Sequence, residues 1–328
     1  MPALTFSHVS KSYQKAGRPA VVDVTLAVES GEFVVLLGPS GCGKTTLLKM
    51  TNRLIEPTSG SISLDGTDIR ELSLTSLRRR MGYVIQQVGL FPHLTVASNV
   101  QTVPRLLGWP KAKIRSRSDE LLELVGLEPA SYRRRYPRQL SGGQQQRVGL
   151  ARALAADPAV MLMDEPFGAI DAITRGNLQD QLMQIQRRLR KTVLFVTHDV
   201  EEAIRLADRL VVMESGCVVQ YDTPFNILTN PANDFVRELL NTNDVLRELS
   251  VISVRSAMDS VPPAAGDTEI LGTRSLRDAL SLMLGVDRAS VAVVDEAGAR
   301  IGSITMEAIR QAGAKGRAER IAAAAGSV

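Results

Sequence analysis

Three continuous apolar runs stand out along the chain: Phe33-Val34-Val35-Leu36-Leu37, Val160-Met161-Leu162-Met163 and Val193-Leu194-Phe195-Val196. Each has strand length and no polar alternation, so each predicts a strand of a parallel sheet covered on both faces. Met81-Gly82-Tyr83-Val84-Ile85 predicts a further strand, ending at Gln86-Gln87. Residues 4–28 instead alternate apolar and polar in short pieces around Gly17-Arg18-Pro19, the pattern of antiparallel β structure. Residues 61–70 read as another strand and turn, with Leu64-Asp65-Gly66 as the turn signal. From about 96 to 156 the period becomes helical, with helices over 97–106, 111–125 and 144–156 and breaks at Gly126 and Pro129. The whole predicts an α/β fold with an antiparallel β part and a helical insertion between strands of the main sheet.

The end of the chain carries a second pattern. Thr268 to Leu271 predicts a short strand, and Ser275 to Leu284 a helix with Leu276, Ala279, Leu280 and Met283 on one face. Ser290 to Val294 and Arg300 to Thr305 predict two strands around the turn Asp295-Glu296-Ala297-Gly298, and a helix follows from Met306. This β-α-β-β-α unit has few residues with which to bury a core, so the helix face is expected to need a partner, most simply the same unit of a second copy. Ala322 to Val328 is small-residue and expected to fray.

Chemistry concentrates where the apolar runs end. After Phe33–Leu37 comes Gly38-Pro39-Ser40-Gly41-Cys42-Gly43-Lys44-Thr45, followed by Thr46-Leu47-Leu48-Lys49-Met50 as a first helical turn. Strand, glycine-rich loop, helix is the order a phosphate loop needs. Glycines let the backbone aim its N–H groups inward, and the helix start adds its positive dipole end. Lys44 can reach terminal phosphates, and the Thr45 hydroxyl can ligate Mg²⁺. The second run ends in Asp164-Glu165, two acids that are costly at a buried strand tip unless they have a task. Asp164 could hold Mg²⁺, and Glu165 could orient or deprotonate a water. The third run ends at Thr197-His198, at the same predicted sheet edge. Leu140-Ser141-Gly142-Gly143-Gln144 opens a helix with Ser141 as N-cap and forms a second anion-binding helix start. Tyr13 is either a surface strand tyrosine or a platform for an adenine ring.

Length and composition narrow the picture. At 328 residues, two domains are expected. Two cysteines, Cys42 and Cys217, cannot build a disulfide framework, which points to a reducing cytoplasm. No apolar run reaches the roughly 18 residues of a membrane span, and Met1-Pro2-Ala3-Leu4-Thr5 does not open a secretory signal. The three histidines show no zinc spacing with the cysteines. A net charge of +4 is a weak hint of an anionic partner or surface. The basic stretches Arg78-Arg79-Arg80, Arg133-Arg134-Arg135 and 187–191 read as solvated helix faces, and without interleaved aromatics they argue against nucleic acid.

Over about 1–240 these residues together resemble the ATPase subunit of an ABC transporter. Gly38 to Thr45 matches the Walker A motif, with Gly38, Pro39, Ser40, Gly41, Cys42, Gly43, Lys44, Thr45 and Thr46 implied to hold ATP. Leu140 to Gln144 matches the signature LSGGQ. Asp164 and Glu165 match the Walker B aspartate and the catalytic glutamate, Gln86 the Q-loop glutamine, Asp171 the D-loop aspartate and His198 the switch histidine. Tyr13 matches the aromatic that stacks on adenine. The resemblance implies a P-loop NTPase fold with a helical subdomain over about 90–156. It implies ATP and Mg²⁺ as cofactors, the metal held by Thr45, Gln86 and Asp164, and Glu165, His198, Gln86 and Lys44 as catalytic residues. It implies a head-to-tail homodimer in which Ser141, Gly142, Gly143 and Gln144 reach the other copy's ATP. Membrane permease subunits, served by an extracytoplasmic substrate-binding protein, are implied partners, with the chain peripheral on the cytoplasmic face.

Phe167 to Arg175 and Ile85 to His93 resemble the glycine betaine, choline and carnitine importers, although Ala172 stands where those carry Pro. Polyamine, sugar or amino acid importers and soluble non-transport ABC ATPases are the alternatives. Leu90, Phe91 and Pro92 are expected to dock a permease helix. After a linker at 241–252, the tail over 253–315 resembles a single CBS module with regulatory function, and 316–328 is expected to be frayed. Such modules often carry Asp where Ala308 stands, which argues against AMP-type binding.

Overall fold

The computed structural model describes residues 2–13, 17–86, 89–168, 170–242, 244–259 and 268–313. The chain divides into two compact units, Met1–Val218 and Val219–Val328. Both predicted β patterns of the first unit are present. Strands β1 (Pro2–Lys11) and β2 (Val21–Glu29) pair antiparallel with Phe6 opposite Leu26, and their alternation buries Leu4, Phe6, Val24, Leu26 and Val28. The apolar run Phe33–Leu37 is β3, buried along its whole length. Helix α1 (Lys44–Thr51) follows the glycine-rich loop. Strands β4 (Ser59–Leu64) and β5 (Thr67–Asp68) complete an antiparallel sheet of order β2-β1-β4-β5. Helix α2 (Leu74–Arg79) leads into β6 (Met81–Val84).

The helical stretch is α3 (Val96–Val100), α4 (Thr102–Leu106), α5 (Lys111–Leu124), α6 (Pro129–Tyr132) and α7 (Gly142–Leu154). The single helix expected over 97–106 is two. Pro104 cannot donate within a helix, and the break at Gln101 puts it in the first turn of α4, where no donor is needed. Pro129, expected only as a break, opens α6 for the same reason.

Next come β7 (Val160–Asp164), α8 (Ala172–Leu189), β8 (Thr192–Thr197), α9 (Val200–Leu206), β9 (Arg209–Glu214) and β10 (Cys217–Asp222). The main sheet has the order β10-β9-β3-β8-β7-β6. Strands β9, β3, β8, β7 and β6 run parallel, so their carboxyl ends share one edge. Register sets the chemistry: Leu37 lies opposite Thr197, and Asp164 opposite Val196. The residues that follow these strand ends, Gly38, Glu165 and His198, therefore leave the sheet nearly level with one another.

The second unit holds α10 (Pro224–Thr229), α11 (Asp234–Leu240), α12 (Val245–Val251), α13 (Val254–Ala257), β11 (Glu269–Leu271), α14 (Leu276–Val286), β12 (Ser290–Val294), β13 (Arg300–Thr305) and a helix over 306–313. Its sheet has the order β11-β12-β13, the first pair parallel and the second antiparallel. The expected β-α-β-β-α order is present, but its apolar helix face is not left over for a second copy. Leu276, Ala279 and Met283 are fully buried within the unit, in a core with Leu249, Val291, Val293, Ile304 and Ile309. The missing cover comes from α12, which occupies most of the stretch expected as a linker, and from the helix over 306–313. The fraying expected over 316–328 concerns residues outside the described ones. Among the described residues no helix is long and apolar enough to cross a membrane.

Candidate functional site

The glycine-rich loop needs its glycines for space. A Cβ on Gly43, at φ 108°, would lie 2.4 Å from the Ala20 carbonyl oxygen, and one on Gly38 would lie 2.2 Å from that of Met213. Lys44 is 5% exposed, and its ammonium donates to the carbonyl oxygens of Gly38 at 2.7 Å and Pro39 at 3.0 Å. These bonds satisfy a buried charge and keep it inside the curl of the loop. Ser40 and Gly41 are exposed, while Cys42 is buried. At the head of α1, Thr45 Oγ1 donates to Asp164 Oδ1 at 2.9 Å. Burial pushes the Asp164 carboxyl above the usual carboxylate range, with the Thr45 bond opposing it.

Glu165 leaves β7 in the left-handed region, at φ 45°, a conformation that costs free energy outside glycine. The backbone holds it there: its N–H donates to Val196 O at 3.0 Å, and its carbonyl accepts from Gly168 N at 3.2 Å. The side chain is thereby turned between two partners. Gln86 Nε2 donates to Oε2 at 3.3 Å, and His198 Nδ1 lies 3.1 Å from Oε1. The structure thus brings Lys44, Thr45, Asp164, Glu165, Gln86 and His198 to one edge of the sheet. Gln86 bonds Glu165 rather than the Thr45–Asp164 pair.

The other predicted residues stand apart from this cluster. Ser141 caps α7 in a reciprocal pair with Gln144, whose Oε1 accepts from Ser141 N at 3.0 Å while its own N donates to Ser141 Oγ at 3.3 Å. Gly142 faces open space, but a Cβ on Gly143 would meet Thr174 at 2.8 Å, so that glycine lets α7 approach the start of α8. Asp171 caps α8, accepting from Thr174 N at 3.0 Å. Tyr13 is 41% exposed, with Lys11 Nζ 5.4 Å from its ring centroid.

One organising residue escaped the sequence reading. Asn99 is fully buried under the loop Leu90–Leu94, and its side chain bonds both the N–H and the carbonyl of Phe91, at 2.8 and 3.2 Å, and the carbonyls of Leu94 and Thr95. Phe91 itself is 40% exposed with the Arg152 guanidinium 5.8 Å from its ring. An asparagine inside a helix pattern carries no signal that it serves a loop eight residues upstream.

Comparison with known proteins decides what this constellation belongs to. The family model described as ABC transporter matches residues 21–168. The glycine betaine/carnitine/choline transport ATP-binding protein OpuCA of Bacillus subtilis is 48% identical over 309 residues, 94% of this chain and 80% of that protein. The chain belongs to the ABC transporter family. Within it, the glycine betaine uptake system ATP-binding protein YehX of Escherichia coli is 50% identical over 303 residues, 92% of this chain and 97% of its own. Among solved structures, the ATP-binding cassette MJ0796, dimeric in a post-hydrolysis state bound to ADP and Pi, has a TM-score of 0.60 at 35% identity. The match covers 67% of this chain and 98% of that one. As a member of the ABC transporter ATPases, this chain has a P-loop fold whose helical part lies between β6 and β7.

Proposed function

We propose that this chain is the ATP-hydrolysing subunit of an importer for quaternary-amine osmoprotectants, working as a homodimer on the cytoplasmic face of the membrane. The observation that carries the catalytic reading is the Glu165 carboxylate, held on one oxygen by Gln86 and on the other by His198 beside the Thr45–Asp164 pair. The solute class rests on relatives named for glycine betaine, carnitine and choline transport.

In this reading the loop N–H groups from Gly38 to Thr46 cradle the phosphates of ATP, and Lys44 exchanges its bonds to Gly38 O and Pro39 O for phosphate oxygens. Tyr13 stacks on the adenine. The hydroxyl of Thr45 and the half-buried carboxylate of Asp164, already within hydrogen-bond distance of each other, fit the few protein oxygens that Mg²⁺ takes beside a nucleotide, with Gln86 as the third candidate. Mg²⁺ would neutralise charge on the phosphates. Glu165 orients the attacking water and draws on its proton as the water oxygen bonds to the γ-phosphorus and the bond to ADP breaks. His198 holds Glu165 and faces the departing phosphate. Ser141, Gly142 and Gly143 at the head of α7 serve the ATP of the second copy.

The exposed Phe91, seated by Asn99, docks a permease helix. The second unit, with its CBS-like element order, regulates. Its Thr305 hydroxyl accepts from Ala308 N at 3.1 Å, capping the last helix, and no acid stands at 308 to hold a ribose. The test is the chain reconstituted with its permease and binding protein in vesicles. Glycine betaine, choline or carnitine should stimulate ATP hydrolysis in the wild type and not in Glu165→Gln. Stimulation by a sugar or polyamine instead would overturn the solute class.

A further inference from the structure

Arg175 lies in the first turns of α8, at the end of the stretch Phe167 to Arg175, and the sequence assigned it no role of its own. Its guanidinium joins two separate loops. Nη2 donates to the carbonyl of Ile170 at 3.4 Å, in the turn before Asp171, and Nη1 donates to Asp199 Oδ2 at 3.1 Å. Arg175 and Asp199 are only 32% and 35% exposed, so the pair is partly withdrawn from water.

Asp199 is the neighbour of His198, and its other groups are already engaged. Its Oδ1 accepts from Glu202 N at 3.1 Å as the cap of α9, and its N–H donates to Thr197 Oγ1 at 3.0 Å. The backbone that carries His198 is therefore pinned on both sides, and Arg175 ties that pinned segment to the loop at Ile170. From His198 the path is one contact more, to Glu165 Oε1 at 3.1 Å. A planar fork can serve the carbonyl and the carboxylate at once, which a lysine ammonium on a flexible stem does not reproduce.

We propose that Arg175 is a positioning residue, through which the loop before α8 sets the contact between His198 and Glu165. This rests on the reading of Glu165 and His198 as the hydrolytic pair. Misplacement of such a group by a fraction of an ångström lowers turnover without weakening nucleotide binding, because Lys44, Thr45 and the glycine loop are untouched.

The experiment measures kcat, the KM for ATP and the melting temperature of the full-length chain as wild type, R175K, R175M, D199N and the R175M/D199N pair, with E165Q alongside. R175K and R175M are expected to lower kcat by about tenfold or more with KM within about twofold. D199N should do the same, since the amide keeps the cap but loses the charge. The double variant should be no worse than the poorer single one, because both break one link. Wild-type kcat in R175K, or a fall in kcat accompanied by a raised KM and a lowered melting temperature in both Arg175 variants, would overturn the proposal. Wild-type turnover in E165Q would overturn the underlying catalytic reading instead, whatever Arg175 does.

Discussion

Thr45 Oγ1 donates to Asp164 Oδ1 at 2.9 Å, closing a gap of 119 residues in sequence. The bond crosses from the helix after β3 to the tip of β7, and these strands are not neighbours, since β8 lies between them. Both side chains therefore reach over the carboxyl end of β8, the same edge from which His198 departs. A strand order with β8 in the middle is what makes phosphate loop, acid pair and histidine one site.

Asp164 should make stability depend on pH. Burial holds its carboxyl above the usual range, so the folded chain keeps this proton to a higher pH than the unfolded chain does. Between the ordinary and the raised value the native state binds more protons, so stability falls as pH rises through that interval. At neutral pH the ionised group is a net cost in the nucleotide-free protein. Asp164→Asn should then raise the melting temperature at neutral pH, and the gain should shrink on acidification into the range where Asp164 is protonated. Scanning fluorimetry across pH checks this, and a gain that stays constant with pH would contradict it. The same variant should lose Mg²⁺-dependent hydrolysis.

Glu165→Gln should bind ATP with little change and hydrolyse it at least about 100-fold more slowly. The amide can still meet Gln86 and His198 but no longer accepts a proton from water. Single-turnover hydrolysis beside equilibrium nucleotide binding separates the two effects, and turnover near the wild-type rate would refute the assignment.

Strands β3, β7 and β8 of the main sheet were legible because they are buried on both faces, and such strands are written as unbroken apolar runs, whereas β9 and β10 went unread, β10 being exposed to half-buried along its length. Phe33–Leu37 is one of them residue for residue. The phosphate loop, the acid pair and His198 were legible because each sits directly after such a run. What the sequence hid were residues whose partners are distant. Asn99 and Arg175 look like ordinary helix positions, and their tasks exist only once the loops at Phe91, Ile170 and Asp199 are brought beside them. Helix α12 was hidden for another reason. Its seven residues include Arg247 and Glu248, so the one inward apolar contact at Leu249 is too brief a pattern to separate from a linker.

Asn99→Ala should uncouple the chain from its permease. The substitution strips one N–H and three carbonyls of their shared partner beneath Phe91, at a stability cost of about 2 kcal/mol. The loop Leu90–Leu94 then loses its shape, while the hydrolytic residues keep theirs. Basal ATPase activity of the isolated chain should persist, and stimulation by the permease should fall. Phe91→Asp should give the same split with little loss of stability, because Phe91 is 40% exposed. Full stimulation in both variants would remove this loop from the docking surface.

The two cysteines should differ sharply in reactivity. Cys217 is exposed, whereas Cys42, within the phosphate loop, is 3% exposed, with its sulfur 3.7 Å from Lys44 Nζ. Access, rather than the anion-favouring loop around it, should decide the rate. A disulfide-exchange reagent should titrate one thiol promptly in the native protein and the second only on unfolding, and Cys217→Ser should abolish the prompt phase. Rapid modification of Cys42, blocked by ATP, would show that the loop opens.

The second unit should regulate without taking part in hydrolysis, and its architecture dictates how to test that. Every residue of the proposed site lies before position 200, so loss of the tail leaves the chemistry in place. A chain cut near residue 245 is nevertheless a poor test. It would strip α12 from α10, and α10 carries the buried Ile227 and Leu228. A buried charge inside the unit avoids this. Met283 is fully buried among Leu249, Leu276 and Ile304, so Met283→Lys places an unpaired ammonium in a small core and should melt it at a cost of several kcal/mol, roughly the whole stability of a unit this size. Limited proteolysis should show cleavage confined to the region after residue 250. Basal ATPase activity should stay within about twofold of wild type, a change small on the scale of lost transition-state contacts. The dependence of solute-stimulated ATPase activity on salt concentration should flatten, because a regulatory unit can shift an equilibrium only by interacting differently with its two states. An unchanged salt response in a protein whose tail is demonstrably unfolded would reduce the second unit to a structural appendage.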